Sequence, residues 1–505
     1  MTETYGWAGR ILRVDLTTGK IKTEDIVKYV PQYVGGKGIA TRIAWNELKP
    51  GVGPYDAENM LMFFNGPLTG TLAPTSGRGV VCGVSARSYP TPWFTYGTMG
   101  GDWAAELKFA GFDGVVVKGN SAKPVYLWVN DGKAEIKEAN DVWGLDTFCT
   151  QSSLKTVHGD QAQVLCIGPA GENLVRWASI QHKLSNAIGD AGLGAVMGAK
   201  KLKAIAILGT GGVKIARTEE FIKACVEATD LISTGPTTYP VKGFRGMPAG
   251  PNTLPCSFGC PLGCGRMYKN MPAGIETGSG TRNMMAHCED GVFILGDNKT
   301  NYPTKDIEKI YKGDIFTRET KGFGDKIGTE IQALCEGLGI SSAFNLNLYP
   351  WFWQCIENGV TELNGYRLDP DNPKFWHDLV RRIAYREGIS EVCKLIDDAE
   401  VILLPVTVIG ELLYGALNSK KTRNNEKFVH KFIGYSLVMQ IDESVAARYA
   451  GVRFDLKQRG NPIPENDIWI AAACLDLEVP LLSQDDHFNL VPGLNVISWV
   501  NSGDS

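Results

Sequence analysis

The chain has 505 residues, 44% of them apolar and 21% charged, and a formal net charge of −4. This is the composition of an ordinary globular protein, and it argues against any broad basic surface for nucleic acid or anionic membrane. No stretch approaches eighteen consecutive apolar residues, and the opening MTETYGWAGR reads as neither a secretory signal nor a transit sequence. The expected setting is therefore the reducing cytoplasm, and the length suggests roughly three or four domains.

Residues 7–130 alternate short apolar runs with Gly/Pro turns, which predicts strands at GRILRVDL, GKIKTEDI, NMLMFFNG, GRGVVCGVSA, DGVVVKG and PVYLWVND. Helices are expected from about Ile39 to Leu48 and from about Trp103 to Phe109. Glycine is abundant, at 59 residues, and concentrated before about residue 280. Two glycine-rich runs look chemical: GPLTGTLAPTSGRG at 66–79, with Arg78 as its cation, and YGTMGGDWAAELKFAGFDG at 96–114, with a helix N-terminus behind it. Such turns offer backbone N–H groups to a phosphate or a heteroaromatic ring, and they equally serve as tight turns between strands. A third follows the strand QVLCIG: GPAGEN at 168–173, then SIQHKLSNAIGDAGLGAVMGAKKLKAIAI, which reads as largely helical. No strand is expected directly ahead of its Gly189–Gly194 spacing, so it is not read as a dinucleotide fingerprint. Three glycine loops within 200 residues suggest one large cofactor held mostly by backbone.

From about Thr218 the periodicity turns helical: EEFIKACVEATDLIS, KDIEKIYKGDIFTRET, TEIQALCEGLGI, YPWFWQCIENG and KFWHDLVRRIAYREG. Between the first two lies CSFGCPLGCGR, where Cys256, Cys260 and Cys264 are punctuated by Gly and Pro, so the thiolates can converge on one centre. A metal or iron–sulfur site is the expectation, with a further ligand from elsewhere; three buried structural cysteines are the alternative. Cys288, Cys335, Cys355 and Cys393 are available for that fourth position. Glu276, His287, Cys288 and Glu289 follow closely in IETGSGTRNMMAHCEDG, also placed in the helical part. A Glu and a His beside a metal centre can exchange protons, although a core His bonded to backbone has the same signature. Trp351, Phe352 and Trp353 are either an aromatic pocket wall or core.

The character changes again from about Glu391. A buried strand VILLPVTV leads to a helix starting near Glu411; NPIPENDIWIAAACLDL follows with Asp467 in its first turn, then the strands VPLLSQDDHF and LNVISW. Glu411, Asp467 and Asp485 thereby fall at element ends, where carboxylates can gather around Mg²⁺ or Mn²⁺, or simply face solvent.

GRILRVDLTTGKI, GPLTGTLAPTSGR, AELKFAGFDGVVVKG, IGPAGENLVRWASI, GLGAVMGAKKLKAIAI and FGCPLGCGR together resemble the tungsten-pterin aldehyde ferredoxin oxidoreductase family, from residue 5 to about 388. The resemblance implies an α+β arrangement: a β-rich domain carrying a tungsten or molybdenum bis-pyranopterin at 1–212, then a helical domain with a 4Fe-4S cluster at 213–389. It assigns pterin contacts to Arg78, to Thr98, Met99, Gly100 and Gly101, and to Asn186 and Ala187, and cluster ligands to Cys260, Cys264 and Cys256. The family usually leaves two residues between its first cysteines, where this chain has three, and commonly has Asn at Thr98. TSGRGVVCGVSARSYPTPWFTYGTMGG and YPWFWQC look most like the catalytic subunit of class II benzoyl-CoA reductases. That subunit reduces an aromatic acyl-CoA with low-potential electrons, and Glu276 and His287 become its proton donors. An aldehyde oxidoreductase is the alternative, and either implies ferredoxin or an iron–sulfur electron-transfer subunit as partner.

The family's third domain is replaced at about residue 389. LPVTVIGELLYGAL, RGNPIPENDIWIAAA and SQDDHF make 391–499 resemble VapC-like PIN-domain ribonuclease toxins, without the first strand that ends in an Asp. The resemblance implies a truncated α/β domain at 390–505, with Glu411, Asp467 and Asp485 as Mg²⁺ or Mn²⁺ ligands and RNA or an antitoxin as partner. With both parts truncated, an inert fusion is the further alternative.

Overall fold

The computed structural model describes residues 5–30, 32–88, 92–189, 191–234, 253–261, 265–272, 281–286, 293, 321–357, 359–363, 366–387, 403–418, 426, 429–430, 433 and 436–497. Its contacts divide the chain into two compact units, Met1–Tyr385 and Arg386–Ser505. No helix among the described residues is long and apolar enough to cross a membrane.

The first unit begins with β1 (Arg10–Asp15), β2 (Lys20–Asp25), β3 (Leu61–Phe64), β4 (Gly79–Val84), β5 (Phe94–Met99) and β6 (Gly114–Lys118), which form one sheet in the order β2-β1-β6-β3-β4-β5. A second sheet is built from β7 (Val125–Asn130), β8 (Lys133–Glu138), β9 (Gln163–Cys166), β10 (Ile180–His182), β11 (Asn186–Ile188) and β12 (Leu202–Leu208), in the order β8-β7-β12-β9-β10-β11. The two orders are the same pattern stepped on by six strands. Each sheet has one parallel pair, β1 with β6 and β7 with β12, among antiparallel neighbours. The helices repeat too. Lys37–Glu47 follows β2 as Thr147–His158 follows β8, and Trp103–Phe109 leads into β6 as Leu193–Ala199 leads into β12.

Burial explains why the strands read as continuous apolar runs. One core holds Leu61, Phe63 and Val115 of the first sheet together with Leu127, Leu165 and Ile205 of the second. The first sheet's other face, with Met62, Phe64 and Val116, is covered by Ile39 and Ile43 of the helix Lys37–Glu47. Sheets covered on both faces lose the polar alternation. Trp103 is buried in the shared core and donates its Nε1–H to the carbonyl of Ile205 at 3.1 Å, tying helix and second sheet together.

The segment expected to be helical after GPAGEN is mostly β. SIQHKLSNAIG makes the hairpin β10–β11, and only Leu193–Ala199 is helix. Strands of three residues are too short to show a period-two signature, while the Leu/Ile/Ala spacing mimics a helix.

Helices Thr218–Thr234, Gly324–Leu338, Asn345–Glu357 and Pro373–Tyr385 follow, as expected. The stretch around the cysteines departs from that expectation: β13 (Thr253–Leu254), β14 (Gly265–Pro272) and β15 (Thr281–Ala286) form an antiparallel sheet. KDIEKIYKGDIFTRET lies outside the described residues. Helix Pro373–Tyr385 is anchored by Trp376, Val380 and Ala384, spaced four apart and fully buried. Burying an apolar side chain of Val size contributes roughly 1.5–3 kcal/mol.

In the second unit, the strand Leu403–Pro405 pairs in parallel with Leu437–Met439, and Leu481–Leu482 in parallel with Val496–Ile497. Helices Val406–Leu417, Glu443–Gln458 and Glu465–Asp476 accompany them around a core that includes Met439, Tyr449, Ile470 and Phe488. The helix expected near Glu411 starts at Val406, directly after Pro405, whose ring suits a helix entrance. Glu411 is thus mid-helix, while Asp467 lies in a first turn as expected.

Candidate functional site

The repeat brings β5 and β11, the fifth strand of each half, together, with Gly97 of β5 lying against Ile188 of β11. Immediately beyond β5, the Gly101 N–H donates to the Cys256 carbonyl at 2.8 Å, and the Phe258 N–H donates back to the Gly101 carbonyl at 3.1 Å. From β11, the buried Asn186 donates its Nδ2–H to the same Cys256 oxygen at 2.9 Å. A methyl group at Gly100 would overlap that oxygen, which is why this turn is Gly-Gly. The Gly101 N–H therefore docks the cysteine segment and is not offered to a ligand.

The cysteine segment itself is a tight turn. The Cys260 N–H donates to the Ser257 carbonyl at 3.2 Å, with Gly259 in the left-handed region at φ +67°, as a type II turn requires in its third position. Cys256 and Cys260 are both half-buried on it. Gly259 rests on the carbonyls of Thr71 and Ala73 in the first glycine loop. Phe258 packs edge-on against Phe109 with ring centroids 5.9 Å apart. That loop is tied by its own hydroxyls, Thr69 Oγ1 to the Ser76 carbonyl at 3.0 Å and Thr71 Oγ1 to the Leu68 carbonyl at 2.7 Å.

Arg78 is exposed, and its guanidinium donates to Thr98 Oγ1 from Nε at 3.3 Å and from Nη2 at 3.0 Å, and to the Thr98 carbonyl at 3.2 Å. It has no ion pair among the described residues. Met99 is buried, and Ala187 is half-buried opposite Gln181. Of the third loop only the 186–189 part reaches this place. GPAGEN turns away: Asn173 Nδ2 donates to the Ala384 carbonyl at 3.0 Å, and Glu172 pairs with buried Lys203.

Two groups absent from the sequence reading complete the surroundings. His182, in β10, is fully buried; its Nδ1 lies 2.8 Å from the Val164 carbonyl and its Nε2 accepts from the Asp102 N–H at 3.2 Å. Burial lowers its pKa to about 4, so it is a neutral ring with the proton on Nδ1. The turn Gly339–Ser342 is the other: Ser179 N–H donates to the Gly339 carbonyl at 2.8 Å, and Ser341 Oγ lies 2.8 Å from the place a Gly189 methyl would take. The Gly-x-Gly of CEGLGI was the available signal for it.

Cys264, Glu276, His287, Cys288 and Cys393 lie outside the described residues. Cys335 is fully buried in the core and burial pushes its thiol well up, while Cys355 is half-buried with its thiol also raised by burial.

In the second unit Asp467, Asp485 and His487 each offer a ligand atom within 4.8 Å of the others. His487 Nδ1 is 3.2 Å from Asp467 Oδ2 and 3.1 Å from Asp485 Oδ1. Glu411 accepts from Asn466 Nδ2 at 2.8 Å. The Asp467 carboxyl is pushed up by burial first and also by the charges of Asp485 and Glu411, against the lowering effect of His487. The three expected acids thus share one electrostatic neighbourhood. The sequence signal for His487 was its place two residues beyond Asp485.

The residues present suit the groups the resemblance implied: a cation at Arg78, without a carboxylate partner among the described residues, for an anion, a cysteine turn for a cluster, and a carboxylate–imidazole set for a divalent ion. A β-rich domain of two repeated sheets followed by a helical region, joined to an α/β unit, is the class of chain these features define. Residues 11–209 match the model of the aldehyde ferredoxin oxidoreductase N-terminal domain, and residues 377–494 that of the PIN domain. The first part resembles the tungsten-pterin aldehyde ferredoxin oxidoreductase family and the last part resembles VapC-like PIN ribonucleases. The tungsten-containing aldehyde ferredoxin oxidoreductase of Thermococcus kodakarensis is 36% identical over 426 residues, 77% of this chain and 66% of that protein. This chain therefore spans just under two thirds of its relative's length. Ribonuclease VapC5 of Mycobacterium tuberculosis is 26% identical over 109 residues, 21% of this chain and 81% of that protein. Among solved structures, the active-site complex BamBC of benzoyl coenzyme A reductase matches with a TM-score of 0.61 at 22% identity, covering 95% of this chain and 76% of that one. At that identity the likeness is one of fold. The PIN match begins inside the helix Pro373–Tyr385, which packs in the first unit.

Proposed function

We propose that the first unit is the cofactor-bearing part of a tungsten- or molybdenum-dependent oxidoreductase that exchanges low-potential electrons with ferredoxin or an iron–sulfur subunit. The observation that carries this reading is the meeting of two repeat-related strand ends, β5 and β11, on one cysteine turn. A doubled cradle beside thiolates suits a cofactor with two pterins next to a 4Fe-4S cluster. Arg78, Thr98 and Ala187 face the pterins, Met99, Gly100, Gly101 and Asn186 build the turn that fixes the cysteine segment beside them, and Cys256, Cys260 and Cys264 hold the cluster. When bound, these groups supply the redox chemistry. The protein's own part is to fix them, to keep His182 neutral beneath the Gly101–Asp102 turn, and to carry protons on Glu276 and His287.

The substrate class we favour is an aldehyde oxidised to its acid, because the relatives at 36% identity over 426 residues are aldehyde ferredoxin oxidoreductases. Reduction of an aromatic acyl-CoA is the second reading, supported by the wording of residues 75–101 and of YPWFWQC. Iron, tungsten and molybdenum analysis of the intact chain, followed by assays with both substrate classes, tests this. About four irons and one tungsten or molybdenum per chain is the expected result; absence of all three metals overturns it.

For the second unit we propose metal-dependent endoribonuclease chemistry, with Glu411, Asp467, Asp485 and His487 around Mg²⁺ or Mn²⁺ and RNA or an antitoxin as partner. The clustering of these groups supports it. RNA cleavage by the full chain that survives Asp467→Ala overturns it.

A further inference from the structure

The helical part of the first unit contains a cleft of about 830 Å³ that no residue of the site above lines. Small-molecule sites fall in the range of about 300–1,000 Å³. It lies between the helices Gly324–Leu338 and Pro373–Tyr385 and the strand Tyr366–Arg367. The second helix spends Trp376, Val380 and Ala384 on the core and turns Lys374, His377 and Asp378 to the cleft, the i, i+3, i+4 spacing of one face.

Its floor is apolar, with Leu334 and Phe375 both buried. His377, also on the wall, is nine-tenths buried; its Nδ1 has no hydrogen-bond partner among the described residues, and its Nε2 is 4.0 Å from Glu330 Oε1. A buried polar atom left alone costs about 1–3 kcal/mol, which an incoming donor or acceptor would relieve. The rim is positive. Arg367 and Lys374 are exposed and have no ion pair among the described residues, whereas Asp378 is held by Arg382 Nε at 2.9 Å and Asp369 accepts from Asn372 Nδ2 at 3.1 Å.

We infer that this cleft binds an amphipathic organic anion. Its apolar body rests on Leu334 and Phe375, its carboxylate or phosphate meets Arg367 and Lys374, and a polar atom along it reaches His377. This site is separate from the proposed cofactor and stands whether or not that cofactor is bound.

Calorimetric titration of the full chain with phenyl phosphate, benzoate and neutral benzyl alcohol tests it. One saturable site for at least one anion, none for the alcohol, and affinity about tenfold lower in Arg367→Met and in Lys374→Met is the expected result, tenfold being what about 1.4 kcal/mol produces. The ranking of phenyl phosphate against benzoate identifies the head group. Equal binding of alcohol and anions, no saturable anion binding, or undiminished binding in both variants overturns the inference. Thermal unfolding of each variant checks its fold, and Arg367→Gln, a change at an exposed position, decides if a methionine variant unfolds early.

Discussion

Gly101 and Cys256 exchange a hydrogen bond of 2.8 Å from N–H to carbonyl, and Asn186 reaches the same carbonyl from the other half of the repeat. One oxygen thus reports on three segments more than 150 residues apart at the extremes. The Cys256 backbone is the point at which the glycine loops and the cysteine turn become one site.

Gly100→Ala should push this turn away, because the added methyl overlaps the Cys256 oxygen. Iron content of the purified chain should fall by more than half. Overpacking of this kind costs about 1–3 kcal/mol, so the unfolding midpoint should drop by only a few degrees.

His182 should make stability depend on pH. Its folded pKa of about 4 lies below the ordinary imidazole value of 6.5, so its contribution is complete above about pH 6.5 and is lost as pH falls towards 4. At 1.36 kcal/mol per pKa unit, the loss across that window is about 3 kcal/mol. Denaturant unfolding at a series of pH values should show this slope, and His182→Gln should flatten it.

Removal of divalent metal by EDTA should abolish RNA cleavage by the full chain, and Mn²⁺ should restore it. Asp467→Asn and His487→Ala should each weaken Mn²⁺ binding about tenfold or more, read by titration calorimetry. Unchanged Mn²⁺ affinity in both variants would remove the metal from this place.

Val380→Ala, in the fully buried stripe of helix Pro373–Tyr385, should destabilise the first unit by about 2–4 kcal/mol, in the range of large-to-small core changes. If this helix belongs to the first unit, as its packing has it, the same change should leave Mn²⁺ binding by the second unit at its original affinity.

Much of this was legible in the chain itself. The strands from GRILRVDL to PVYLWVND and the helix Trp103–Phe109 follow directly from pattern, because apolar runs bounded by Gly/Pro turns carry their signal locally. The hairpin β10–β11 did not, since SIQHKLSNAIG is too short for a period and its pairing is set by β9 alongside. Gly101, Asn186 and Cys256 could be named, but not the meeting of the first two at the Cys256 carbonyl, which depends on pairings in both sheets. His182 was invisible: nothing local distinguishes it from a surface histidine. His487 was half visible, two residues past Asp485, yet only the fold turns its ring to both carboxylates.

The two six-stranded sheets of the first unit share more than a topology diagram. Each half, β1 to β6 or β7 to β12, ends its fifth strand at the seam, so the pair is what two copies of a single half-chain would make on associating head to head. Held in one chain, the halves are released from sequence identity. Arg78 leads into β4 with an exposed guanidinium, while at the matching place ahead of β10 Ser179 is fully buried with its hydroxyl held by Gln181, so the same architecture carries unlike chemistry in its two halves.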